Sequence, residues 1–240
     1  MGFLSEDQIK SEYFDAIGGF ESSKIIHEVG EYNGEDEICI ACTQLKGEEE
    51  KMFFPDIKCY SEYDKKRILK EWINFLSVKK ESLRRVHFNS KVTPALFSAV
   101  CCQNELEELR FKWGTYSDLS ALEKMQKLKY LYIGQGSYVK DISPLAKLKN
   151  LIVLHIEAFT KIEDYSSLGS LLALEQLVIT GPLLSDAKIK DLEFLRKMPS
   201  LRSVSFANLV SKKKYTKEEL AELQSDLPNL HAVNNCLYDF

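Results

Sequence analysis

The sequence predicts an α/β solenoid of stacked parallel strands, and three observations predict it. A pattern Leu-x-x-(Leu/Val)-x-(Leu/Ile/Phe) recurs at Leu83, Leu106, Leu128, Leu151, Leu174 and Leu201, at intervals of 23, 22, 23, 23 and 27 residues. Each recurrence alternates apolar and polar residues as a strand does, and a second regular pattern, apolar residues three apart, fills the interval. A single strand of this kind cannot bury its apolar face. Stacked neighbours can, which is why the unit repeats.

In the unit opened by Leu106, alternation puts Leu109 and Phe111 on one face and Glu108, Arg110 and Lys112 on the other. The same arithmetic places Leu131 and Ile133, Leu154 and Ile156, Leu177 and Ile179, and Val204 and Phe206 on the buried face. The return legs start at an aspartate. Asp118 leads Leu119, Leu122 and Met125; Asp141 leads Ile142, Leu145 and Leu148; Asp164 leads Tyr165, Leu168 and Leu171; Asp191 leads Leu192, Leu195 and Met198. This spacing predicts short helical or 3₁₀ segments, each with a side-chain oxygen placed to cap its first free amides. Pro144 falls in a first turn, where its missing N–H costs little.

Strand and return leg recurring together resemble the leucine-rich repeat family, and the run from Asp141 through Pro144 to Leu151 resembles its internalin-like subclass. The resemblance covers roughly residues 82–233 and implies a curved solenoid with a concave parallel sheet whose usual task is to bind another macromolecule. The family commonly builds an asparagine ladder three residues after the last apolar strand position. Gly114, Gly136, Phe159 and Pro182 stand there instead, so the turn amides need other partners. The units opened by Leu174 and Leu201 are long, at 27 and 29 residues.

The ends do not repeat. Residues 1–80 are expected to form an α+β N-terminal cap. It comprises a helix over 4–20 ended by Gly18-Gly19, a hairpin from strands at 37–43 and 51–54, and an amphipathic helix over 64–78 lying as a lid on the first repeat. Residues 81–228 form the solenoid. In it, Thr216 and Glu219 make a capping-box signature for a last helix. Residues 229–240 supply a capping strand.

The charge of −4 hides an asymmetry, with net −10 over residues 1–63 and +6 over 64–240. That fits complementarity within the molecule or an acidic solvated cap, the second being the simpler reading. No stretch resembles a membrane span, and the start of the chain has neither a basic region nor a long apolar run, so no export signal is expected. Six cysteines in that setting point to reduced thiols and a cytoplasmic protein. Lys212-Lys213-Lys214 is weak evidence for nucleic acid or lipid in a chain of pI near 5.7.

Cys39-Ile-Ala-Cys42, with Cys59 and His27, is a conceivable zinc set. Alternation, however, turns Cys39 and Cys42 to opposite faces, and no second such pair exists. His87 and His155 lie three strands apart, about 14 Å at the usual strand spacing, too far for one metal or one catalytic pair. No cofactor, metal or catalytic residue is assigned. The stripe that the resemblance makes concave holds the candidate partner-binding residues: Arg85, His87, Glu108, Arg110, Lys112, Trp113, Tyr130, Tyr132, His155, Glu157 and Gln176. The tyrosine pair, with Arg, His and Trp nearby, has the composition of a protein-binding hot spot. The expected function is non-catalytic binding of another protein, for regulation or to inhibit a toxin or competitor enzyme. The competing reading is a metal-binding or enzymatic role for the Cys39–Cys42 region.

Overall fold

A computed structural model describes residues 3–16, 24–43, 45–47 and 58–234 of the chain. Its centre, among the described residues, is one parallel sheet of nine strands. In spatial order these are β1 (Ile25–Ile26), β2 (Glu37–Ile40), β3 (Arg85–Phe88), β4 (Glu108–Phe111), β5 (Tyr130–Ile133), β6 (Val153–Glu157), β7 (Gln176–Thr180), β9 (Ser203–Ala207) and β11 (Ala232–Asn234). Equivalent repeat positions pair directly, so Leu109, Leu131, Leu154, Leu177 and Val204 form one continuous row. All six anchor leucines are fully buried, and one core cluster runs the length of the sheet. Period-two alternation in register is what makes this core continuous.

The return legs form as the spacing predicts. Four 3₁₀ segments, Ser120–Lys124, Ser143–Lys147, Ser166–Ser170 and Glu193–Lys197, follow the four aspartates. Each aspartate accepts from the amide two residues on: Ser120 on Asp118 and Ser143 on Asp141 at 2.8 Å, Ser166 on Asp164 at 2.9 Å, and Glu193 on Asp191 at 3.0 Å. Such side-chain turns satisfy amides that a short helix leaves free. The return leg after β3 is instead an α-helix, α4 (Pro94–Val100), capped by Thr93 with Pro94 in its first turn.

Bulk and backbone replace the missing asparagine ladder. Phe159 fills the turn so closely that a Cβ on Gly136 would meet its ring at 2.2 Å. The turn amides bond to the next coil: Ala158 donates to Thr180 and Gly181 to Ala207, both at 2.7 Å. Gly181 lies so near Asn208 that a Cβ would stand 1.9 Å from its carbonyl oxygen. The long unit after β7 uses its extra residues for β8 (Ala187–Ile189), which pairs in parallel with β10 (Leu209–Ser211) as a second, two-stranded sheet.

The N-terminal part departs from expectation. β2 is an internal strand, parallel to β1 on one edge and to β3 on the other. It is therefore not the arm of a hairpin; the proposed second arm, 51–54, lies outside the described residues. Ile38 and Ile40 join the core while Cys39 is buried on the other face, as an interior strand of a parallel sheet requires. The amphipathic helix α3 (Glu62–Leu76) is the crossover from β2 to β3, packed beside α4 in the convex layer rather than across the end. Ile68, Trp72 and Leu76 are its buried residues, and the Trp72 indole donates to the His27 carbonyl at 2.8 Å. The sheet thus begins within residues 1–80, ahead of the first sequence repeat. At the other end, α5 (Lys217–Ser225) carries the predicted capping box between Thr216 and Glu219.

The first helix also differs. It is two short pieces, α1 (Glu6–Ser11) and α2 (Tyr13–Ala16), broken at Glu12, whose φ is 62° and ψ 140°. Gly18-Gly19 lies outside the described residues. These pieces lie on the concave face of the sheet.

Candidate functional site

The strand register sets two rows of side chains on the concave face. One reads Arg85, Glu108, Tyr130, Val153, Gln176 and Ser203; the other reads His87, Arg110, Tyr132, His155, Val178 and Ser205. The predicted strand residues are therefore brought together. The middle of the stripe is not open, however, because residues 3–16 cover it. Gln176, Glu108 and His87 are buried to within 2% of full exclusion, and Arg110 and Tyr132 are 7% exposed. Alternation identifies which face a residue takes. It carries no information about a distant segment that then settles on that face.

The contact has an apolar and a polar part. Leu4, Ile9, Tyr13 and Phe14 form a cluster with Tyr132, Ile152 and Val153, distinct from the solenoid core. The Tyr13 ring stacks on Tyr130 with centroids 4.3 Å apart, and its hydroxyl donates to Glu108 at 3.1 Å. The other Glu108 oxygen is 2.7 Å from the His87 ring nitrogen. Phe14 sits 5.6 Å from the Tyr132 ring and beneath the Arg110 guanidinium at 5.2 Å. Ring stacking and cation–π geometry of this kind add to simple burial.

Sheet side chains also bind the segment's backbone. Glu175 accepts from the amides of Phe3 at 2.6 Å and Leu4 at 3.2 Å. Gln176 accepts from the Tyr13 amide at 2.6 Å and donates to the Gln8 carbonyl at 3.2 Å. Arg202 donates to the Leu4 carbonyl and pairs with Glu6, both at 2.7 Å. Charge complementarity within the molecule, the less simple reading of the asymmetry, is present at this point. Glu175 and Arg202 fell outside the predicted stripe. They precede the first alternating position of their strands, and only the path of the N-terminal segment gives them a role.

Beside α2 the concave face stays open as a cleft of about 440 Å³. Arg110, Lys112, Tyr132, His155 and Glu157 form its floor, with Asp15 on one wall and Gly181, Leu183 and Asn208 on the other. His155 stacks on Tyr132 at 4.3 Å, and Lys112 lies 3.7 Å from Glu157. The Tyr132 hydroxyl donates to Glu157. Burial, then the charges of Arg110 and Lys112, draw the His155 imidazolium down to about 3, so the ring is neutral at physiological pH. At the lip, Leu183 and Leu184 are 87% and 95% exposed. Among the predicted residues, Arg85 pairs instead with Glu37 at 3.0 Å, and Trp113 sits in the turn where its carbonyl accepts from Val92.

Cys39 faces the concave side and Cys42 the core, and burial pushes the Cys42 thiol up to about 12. Neither is a ready thiolate ligand. Among the described residues no group of three or more His, Cys, Asp or Glu is placed to hold a metal ion. Lys212 and Lys213 are paired within the chain, with Glu163 and Glu193. No helix among the described residues is long and apolar enough to cross a membrane.

No protein-family model matches the sequence, and no curated protein matches it either. Solved structures do. A plant peptide hormone receptor (RGFR1, in complex with RGF2) is similar over 89% of this chain and 34% of its own, with a TM-score of 0.52 and 11% identity. The chain has the leucine-rich repeat fold. Two leucine-rich repeat proteins of the internalin type from Listeria monocytogenes also align. Internalin C2 does so at 20% identity over 69% of this chain and 75% of its own, with a TM-score of 0.43. A second internalin (inlF) does so at 15% identity over 85% and 61%, with a TM-score of 0.44. At these identities the likeness is one of fold.

Proposed function

We propose that this leucine-rich repeat chain is a non-catalytic recognition module that binds another protein on the concave side of its solenoid. The observation that carries the reading is the cleft beside α2. A floor of Tyr132 and His155 with the charged groups Arg110, Lys112 and Glu157, faced by Asp15, adjoins two leucines that protrude into solvent. Two adjacent exposed leucines beside a charged, aromatic recess supply the apolar anchors of an interface. The partner best suited presents apolar side chains for the leucines beside polar groups for the mixed charges of the recess. Its capture serves a regulatory or inhibitory end in the cytoplasm, where buried thiols such as Cys42 stay reduced.

The test is affinity capture with the intact chain and with its Lys112→Glu/Leu183→Asp variant, which alters the cleft and leaves the core untouched. Proteins retained by the wild type are expected to fall at least tenfold with the variant at equal folded protein. Retention unchanged by both substitutions sinks the reading. The competing metal-protein reading predicts stoichiometric zinc in purified protein, lost on Cys42→Ala.

A further inference from the structure

We infer that the concave sheet beneath residues 3–16 is a peptide-binding groove occupied here by the chain's own N-terminal segment, and that a segment of a partner protein displaces it. That segment is acidic and short-helical, with adjacent aromatic residues. The inference rests on the concave side being the interaction face and names the partner element it receives.

Three observations carry it. First, the groove recognises main chain. Buried Glu175 and Gln176, with Arg202, take up amides and carbonyls of residues 3–13 that no neighbouring strand or helix satisfies. Packed elements of a solenoid bond their backbones to one another; side chains aimed at a foreign backbone are how a sheet holds an added peptide. Second, the segment is separable. Its apolar cluster is distinct from the core that joins the strands, so the stack of repeats does not need it. Third, the segment matches the groove as a ligand does. Residues 3–16 carry four carboxylates and one lysine, Glu6 pairs with Arg202, and Tyr13 and Phe14 seat on Tyr130 and Tyr132. Glu12 adds to this: a residue with a side chain keeps φ at 62° only while its surroundings hold it there. A competing segment without that strain gains an advantage that works against the covalent attachment of the resident one.

The experiment uses the full-length chain and its full-length Glu6→Ala/Tyr13→Ala/Phe14→Ala variant. The probe is a fluorescein-labelled synthetic peptide of residues 3–16, and the control is the same peptide with both aromatics changed to alanine. Fluorescence anisotropy is expected to show the triple variant binding the probe at least tenfold more tightly than the wild type does, and at least tenfold more tightly than it binds the control. Adding Gln176→Ala to the triple variant is expected to weaken its probe binding. The cooperative melting transition is expected to persist in the triple variant. Three results overturn the inference: a folded triple variant that does not bind the probe, equal binding of the control, or loss of the transition, which makes the segment part of the core. A wild-type dimer in sedimentation velocity that the triple variant abolishes assigns the groove to a second copy and overturns it as well. The assay contains no partner protein, so its failure is distinct from failure of the cleft variant in affinity capture.

Discussion

Glu12 and His155 are where single residues bear the conflict between local preference and the fold. Glu12 adopts a backbone conformation that side chains disfavour by about 1–3 kcal/mol, and it bonds Ser205 from there. The bend it makes turns the Tyr13 amide to Gln176 and the Tyr13 ring onto Tyr130. Tyr13→Phe keeps the stack but leaves buried Glu108 without that donor. We expect it to loosen the segment by about 1–3 kcal/mol, read as faster exchange of the Leu4 and Tyr13 amides. His155 gives a pH prediction. Its folded value near 3 lies below its unfolded value near 6.5, so the unfolded chain binds the extra proton between them. Stability from this group is complete above about pH 6.5 and is lost as pH falls towards 3, with a slope of at most about 1.4 kcal/mol per pH unit. An NMR titration of the His155 ring is expected to be flat from pH 5 to 8; an inflection near 6.5 contradicts the half-buried, neutral ring.

The repeating elements are held by devices that recur with them. Removing the aspartate cap in Asp141→Ala or Asp164→Ala is expected to cost about 0.5–2 kcal/mol each, measured by urea unfolding. Phe159→Ala, which empties the turn where the family places asparagine, is expected to cost about 3–5 kcal/mol. A cost below that of an aspartate cap would show that the backbone bonds of the turn, not the ring, replace the ladder. Strands and return legs were legible because their apolar periods, two and three, are local and differ from each other. α3 was legible as an amphipathic helix, but its station was not: a helix beside strands looks alike whether it caps an end or crosses over. The hairpin reading of 37–43 failed for a similar reason. An apolar strand reads the same in antiparallel and parallel company.

Across the whole molecule, the acidic front and basic body meet on the concave face. The ion pair of Glu6 with Arg202 leaves Glu6 66% exposed, whereas the aromatic cluster is buried. Surface pairs contribute about 0–1 kcal/mol and are screened by salt; burial is not screened. Raising salt to 1 M is therefore expected to leave amide protection in residues 3–16 within about threefold of its low-salt value, and a complete loss would assign the docking to charge. Replacing Tyr130 and Tyr132 with alanine is expected to free the segment while the repeats stay stacked, so such variants alter the groove and its occupant together.

The amino-acid sequence by itself determined the stack of repeats, the face of each strand residue and the capping aspartates. Each of these depends on contacts at a near-constant separation of about one repeat, which a periodic pattern records. It took the three-dimensional structure to show that the sheet already includes Ile25–Ile26 and Glu37–Ile40, that α3 is a crossover, and that the concave stripe is occupied. The contact between Phe3 and Glu175 joins residues 172 positions apart through a main-chain amide. A bond made by backbone leaves no mark in the side-chain pattern, so the residue types could name the groove but not its tenant.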